Sequence, residues 1–248
     1  MKPSLSGIRV WLFDFDNTIA ALEREVDWLG GRRKLEAFLR AEFEARSLDD
    51  AIFNEIPRGN LPLYAALHTR WLRGGANCGP SDAGALLASA SAIIEEIELA
   101  GVDRAAPLRG AVELLRSLAD GGRAIAIVTS NSSRTVARWL ERFRLSGTVS
   151  AIVGRDSALA LKPSPETIRR ALECCGAPPE DAIFVGDSEA DYRAATAAQV
   201  RFIAIKPDHT GAAWLAALDS ADIFVSPEAI AANFDADSAI ARRHPGNR

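Results

Sequence analysis

The sequence predicts an α/β fold, a doubly wound and mainly parallel core sheet with a helical domain inserted after the first strand. Three observations predict it. Short apolar runs stop abruptly at polar clusters, helical patterns lie between most of them, and one long interval carries helices without any strand. Continuous runs rich in Val and Ile, with no polar alternation, are what a parallel sheet covered on both faces requires.

In chain order the runs are IRVWLF before Asp14, AIAIV before Thr129, AIV before Gly154, AIFV before Gly186, FIAI before Lys206 and DIFV before Ser226. Each reads as a buried strand. Between them, Ala111 to Leu118 repeats apolar residues at helical spacing, and Thr135 to Phe143 sets Val136, Trp139, Leu140 and Phe143 on one stripe. Pro165 to Cys174 and Glu189 to Ala198 give two further helices. Alternation of this kind implies crossover connections and a ligand site outside the carboxyl ends of the strands.

Between about Ala20 and Arg104 the pattern changes. Arg33 to Ala45, Leu61 to Leu72 and Asp82 to Leu99 are amphipathic helical segments, with breaks expected at Gly30-Gly31, Pro57-Arg58-Gly59-Asn60, and Gly74-Gly75 with Gly79-Pro80. The expected division is a discontinuous core of residues 1–19 and 105–248 around a helical cap of residues 20–104. The charged end from about Asp237, closing in ARRHPGNR, is expected to fray.

Composition narrows the partners. At 248 residues, 48% hydrophobic and 25% charged, the chain has the balance of a soluble globular protein able to bury its own core. A net charge of −4 argues against an electrostatic grip on nucleic acid or an anionic membrane, and no apolar stretch is long enough to span a bilayer. A small molecule is the expected partner. Cys78, Cys174 and Cys175 make an odd count without a CxxC pair, and the histidines at 68, 209 and 244 are scattered. Neither a disulfide framework nor a thiolate metal site can be read from them, and a cytoplasmic location is expected.

Four polar clusters follow the strands or precede the helices. Asp14 and Asp16 stand in DFDNT at the end of the first run; an extended backbone would send both side chains to one side, whereas a local turn could re-aim the second and leave its carbonyl pointing inward. Thr129-Ser130-Asn131-Ser132-Ser133 opens a helix, where a hydroxyl and free amides can hold an anion. Lys162 precedes Pro163, and Gly186-Asp187-Ser188-Glu189-Ala190-Asp191 follows another strand. Taken singly, each cluster is also what a turn, an N-cap or a solvated lysine looks like. Together they supply the carboxylates, hydroxyl and ammonium that phosphoryl transfer needs.

In this order the motifs resemble those of the haloacid dehalogenase superfamily, specifically its phosphatases of the phosphoglycolate-phosphatase-like kind, whose helical cap is inserted after the first motif. The resemblance spans roughly residues 7–19 and 105–226 and implies a Rossmann-like core. It implies that Asp14 is the nucleophile forming an aspartyl-phosphate, and that Asp16 is the acid and base. It also implies a Mg²⁺ ion on the Asp14 carboxylate, the Asp16 carbonyl and the Asp187 carboxylate. Thr129 and Lys162 would bind the transferring phosphoryl group, with Ser130 and Asn131 beside them; whether Thr129 or Ser130 supplies the hydroxyl stays open, and Thr129 is preferred because it ends the apolar run. Asp191 would orient Lys162 or the metal's waters.

Asn17 stands where many capped members have glycine, and IAALERE after Thr18 lacks the DSxxD continuation of phosphoglycolate-phosphatase-like members. On the insertion, Arg24, Arg32, Arg33 and Arg58 are candidates for reading the substrate, Arg58 foremost because it lies in a loop break. The expected activity is magnesium-dependent hydrolysis of a small phosphate monoester. A phosphomutase on a sugar phosphate and a catalytically silent phosphate-ligand binding protein are the alternatives.

Overall fold

The computed structural model describes residues 5–48, 51–55, 59–72, 80–206 and 213–234. Arg58, Cys78, part of the expected glycine breaks and the tail from Asp237 lie outside the described residues.

The strands are β1 (Val10–Phe13), β2 (Ala124–Val128), β3 (Ala151–Val153), β4 (Ala182–Gly186), β5 (Arg201–Ile205) and β6 (Ile223–Phe224). They form a six-stranded sheet in the order β3-β2-β1-β4-β5-β6, with every pairing parallel. The order reverses at β1, so a crevice opens at the carboxyl end of β1 and its neighbours β2 and β4, where doubly wound sheets bind ligands.

Side-chain alternation along β1 explains why its run is apolar throughout. Trp11 and Phe13 join one buried cluster, with Leu114 and Leu115 of α5 (Ala111–Asp120) and Val136 and Trp139 of α6 (Ser133–Arg142). Val10 and Leu12 join the opposite cluster, with Ile168 and Ala171 of α7 (Glu166–Cys175) and Ala194 and Ala195 of α8 (Glu189–Ala197). A strand buried on both faces has no position left for a polar residue until its end, where Asp14 stands.

The insertion holds α1 (Trp28–Ala45), α2 (Ile52–Glu55), α3 (Asn60–Leu72) and α4 (Pro80–Val102). Their apolar stripes meet in a separate cluster that includes Leu35, Leu39, Leu63, Leu67, Leu86 and Ile94. Leu161, the residue before Lys162, is buried in the same cluster, so the loop that carries Lys162 is packed against the inserted helices. The segment's ends belong to the core instead: Leu22 and Val102 are fully buried in the β-sheet cluster with Trp11 and Phe13.

One expectation is corrected here. Gly30 and Gly31 do not break a helix; they lie in the first turn of α1, whose N-cap Asp27 accepts the Gly30 N–H at 2.8 Å. The reason is close packing. A Cβ on Gly31 would lie 2.0 Å from Cδ1 of Ile97 on α4, so the glycine lets the two helices approach.

Candidate active site

Four loops at the carboxyl ends of the strands supply the candidate site. Asp14 directly follows β1, and its N–H donates to the Val185 carbonyl at 2.9 Å, carrying the β1–β4 pairing forward and setting Asp14 beside Gly186 and Asp187. Asp14 is buried, and its Oδ1 accepts from Lys162 Nζ at 2.6 Å. Lys162 Nζ also lies 2.5 Å from Asp191 Oδ1 and donates to the Val128 carbonyl at 3.2 Å, which places the ammonium between the ends of β1, β2 and β4.

The chain turns sharply after Asp14. Asn17 has φ of 58°, in the left-handed region that glycine and asparagine tolerate best, which is the physical reason an asparagine can stand at this turn. The turn brings the Asp16 carboxylate to the entry of the insertion, where its Oδ1 accepts the Leu22 and Glu23 N–H groups, each at 2.9 Å. Asn17 Nδ2 donates to Glu23 at 2.7 Å and holds the same entry.

Thr129 is buried, and its hydroxyl is enclosed by Asn131, donating to Oδ1 at 3.0 Å and accepting the Asn131 N–H at 3.1 Å. Ser130 is half-buried, and neither its hydroxyl nor its N–H takes part in a hydrogen bond among the described residues. The N-cap of α6 is Ser132, whose hydroxyl accepts the Thr135 N–H at 3.1 Å. Thr129, Ser130 and Asn131 therefore form a loop ahead of the helix and are not its cap.

The Gly186 to Asp191 cluster is arranged similarly. Ser188 caps α8, and Asp191 completes a capping box by accepting the Ser188 N–H at 3.1 Å and hydroxyl at 2.6 Å with its Oδ2. Asp191 Oδ1 is thereby aimed at Lys162, and Asp187 has no capping duty.

Carboxylate oxygens of Asp14, Asp187 and Asp191 lie within 4.8 Å of one another. Burial raises Asp14 to about 6 against the pull of Lys162, with the Asp191 charge adding to the rise. Burial raises Asp187 to about 8, reinforced by the charges of Asp14 and Asp191. Asp16 is pushed up to about 7 by burial, opposed by the Glu23 N–H. Burial disfavours the Lys162 charge, but Asp14 and Asp191 outweigh it and raise its pKa. Crowded carboxylates with one ammonium carry an excess of negative charge that a hard cation would relieve, and an all-oxygen donor set suits such an ion.

Of the candidate arginines, the three described ones, Arg24, Arg32 and Arg33, make no described contact with this cluster. Arg24 and Arg33 are exposed, and Arg32 is buried in the insertion, donating to Glu36 at 2.6 Å and to the Gly59 carbonyl at 2.5 Å. A surface groove of about 540 Å³ lined by Arg169, Leu172, Ala198 and Gln199 contains none of the candidate residues. Sequence reasoning missed Glu98 and Arg155, which are buried beneath the Thr129 loop.

Residues 83–205 match the family model of haloacid dehalogenase-like hydrolases. That stretch holds Thr129, Lys162, Asp187 and Asp191, while Asp14 and Asp16 lie upstream of it. Phosphoglycolate phosphatase 1 of Pseudomonas aeruginosa is 38% identical over 96 residues, covering 39% of this chain and 35% of the relative. The pyrophosphatase PpaX of Halalkalibacterium halodurans is 34% identical over 85 residues, covering 34% and 40% respectively. The chain thus spans well under half of each of these two curated relatives. Among solved structures, CbbY of Rhodobacter sphaeroides in complex with phosphate aligns with a TM-score of 0.60 at 22% identity, covering 92% of this chain and 99% of that one, a likeness of fold. No helix among the described residues is long and apolar enough to cross a membrane. The parallel sheet with its inserted helices and the matched motif stretch carry one conclusion: the chain belongs to the haloacid dehalogenase-like hydrolases.

Proposed function

We propose that the protein is a magnesium-dependent phosphatase that hydrolyses a small-molecule phosphate monoester through an aspartyl-phosphate on Asp14. The observation that carries this reading is Lys162 Nζ set between Asp14 Oδ1 and Asp191 Oδ1, at 2.6 and 2.5 Å, beside Asp187. A buried carboxylate held by one ammonium is oriented for attack, and the same ammonium offsets negative charge on the transferring group.

Asp14, Asp187 and the Asp16 carbonyl would hold the magnesium ion, because the Asp16 carboxylate is already engaged with the Leu22 and Glu23 amides. The ion, when bound, supplies charge neutralisation for the phosphoryl oxygens and the carboxylates. Asp14 attacks phosphorus as the ester P–O bond breaks, and Asp16 gives its proton to the leaving oxygen. Asp16 then takes a proton from the water that attacks the phosphorus of the aspartyl-phosphate, which releases phosphate and restores the Asp14 carboxylate. The Ser130 N–H and hydroxyl stand ready for the anion's oxygens, while the Thr129 hydroxyl beside them gives its proton to Asn131 Oδ1 and would turn to the anion only by releasing that bond.

The names of the relatives put phosphoglycolate and pyrophosphate at the head of a substrate panel. The test is a screen of phosphate esters with and without magnesium in ¹⁸O-labelled water. Magnesium-dependent release of phosphate carrying one label per turnover is expected. An isomerised ester without label would replace this reading by a phosphomutase, and neither product across the panel would leave a phosphate-binding protein.

A further inference from the structure

Beneath the Thr129 loop lies an ion pair that no step above uses. Arg155, in the turn after β3, and Glu98, on α4, are both fully buried, with Nη1 2.7 Å from Oε1. The Glu98 carboxylate also accepts Asn131 Nδ2 at 3.1 Å, the Ser132 N–H at 3.0 Å and Thr135 Oγ1 at 3.1 Å. Arg155 donates to the Ser130 carbonyl at 2.8 Å, to Ser91 of α4 at 3.1 Å through its hydroxyl and 3.2 Å through its carbonyl, and through its own N–H to the Asn131 carbonyl at 2.9 Å.

The pair grips the loop from two sides. Carbonyls of Ser130 and Asn131, the N–H of Ser132 and the Asn131 amide group are all fixed, and Asn131 passes the constraint to the Thr129 hydroxyl. What stays free among the described contacts is the Ser130 N–H and hydroxyl, the groups an anion needs. Stability alone is a poor reason for such a pair, since desolvation offsets the attraction and apolar replacements of similar size are commonly neutral or stabilising.

We infer that Glu98 and Arg155 are positioning residues that hold Thr129–Ser132 in its anion-binding shape, so that helix α4 of the insertion shapes the loop of the core. The consequence for turnover rests on the phosphatase reading; the consequence for loop order does not.

The test uses the full chain with four variants: Glu98→Gln, Glu98→Met, Arg155→Met and the double variant Glu98→Met with Arg155→Met. Three quantities are read: hydrogen exchange of the 129–132 amides, affinity for inorganic phosphate with magnesium present, and kcat on the best ester. The two single Met variants leave opposite uncompensated charges under the loop but lose the same grip. Positioning therefore predicts that both bind phosphate about tenfold or more weakly, in the range typical of lost orienting partners, and that loop exchange accelerates in all four. The double variant is expected to recover the thermal midpoint but not kcat, which separates positioning from bulk stability. Unchanged loop exchange overturns the inference, as do phosphate affinities that move in opposite directions in the two single variants, or a double variant that regains kcat with its stability. Should a single Met variant fail to fold, loop exchange in Glu98→Gln and kcat against stability in the double variant still decide the inference. A parent protein that turns over no ester sinks the phosphatase reading, while the exchange data still decide the positioning.

Discussion

Gly186 and Asp191 are packed so closely that a Cβ on the glycine would lie 2.7 Å from the aspartate's Cβ and 2.8 Å from its Cγ. Gly186 ends β4 and Asp191 lies in the first turn of α8, so the absent side chain lets the helix start fold back and present Asp191 Oδ1 to Lys162. Gly186→Ala is expected to displace Asp191, loosen Lys162 and lower kcat by about tenfold or more, a barrier increase of roughly 1.4 kcal/mol. Steady-state kinetics alongside circular dichroism check it. Parental kcat in a folded variant would mean that Asp191 has room to spare.

Asp14→Asn is expected to abolish turnover while the fold persists. The amide is nearly isosteric and loses one of the two carboxylates on Lys162, yet Asp191 still pairs the ammonium at 2.5 Å, so no buried charge is left alone. An amide cannot form the acyl phosphate. Activity within about tenfold of the parent, a loss of only ~1.4 kcal/mol, contradicts the assignment of the nucleophile.

Asp187→Ala should act through the cation. Asp187 is half-buried, is held by no capping bond, and shares its cluster with Asp14 and Asp191. Under the proposed ligation, removing it takes away one ligand and one repelling charge, so the defect should shrink as magnesium is raised. A magnesium titration of kcat/KM checks this, and a defect constant from trace to saturating metal removes Asp187 from the ligand set.

The strands and their ends were legible because a run buried on both faces can tolerate a polar residue only where it stops, and Asp14, Thr129 and Asp187 each mark or follow such a stop. Gly30-Gly31 misled, since the same residue that frees a turn also permits contact between helices, and only the position of Ile97 distinguishes the two. The fully buried Leu22 and Val102 draw the sheet's core past the expected boundaries, because amphipathic spacing says that a face is buried but not against which partner. Glu98 carried a signal: it falls on the stripe of Ala90, Ile94, Ile97 and Val102, where a carboxylate must find partners. Arg155 carried none, its partner being 57 residues away in sequence.

Asp16 accepts the Leu22 and Glu23 amides at 2.9 Å, and the proposed reaction gives it a second duty, moving a proton in both half-reactions, that substitution can separate from the first. Asp16→Asn keeps an oxygen acceptor for the amides and removes the proton donor and base, so it tests chemistry with the entry to the insertion still held. For an alkyl phosphate both steps should slow, because an alkoxide leaves poorly without a proton and water attacks poorly without a base. An activated aryl phosphate needs no proton on its leaving oxygen. With that substrate the first step should survive while dephosphorylation stalls, so phenol should appear in a stoichiometric burst followed by slow turnover, with phosphate trapped on Asp14. Asp16→Ala, which also frees both amides, should show the same burst with a weaker apparent affinity. Rapid-quench measurement of phenol and of protein-bound phosphate checks this, and equal slowing of alkyl and aryl substrates without a burst would move the proton to another group.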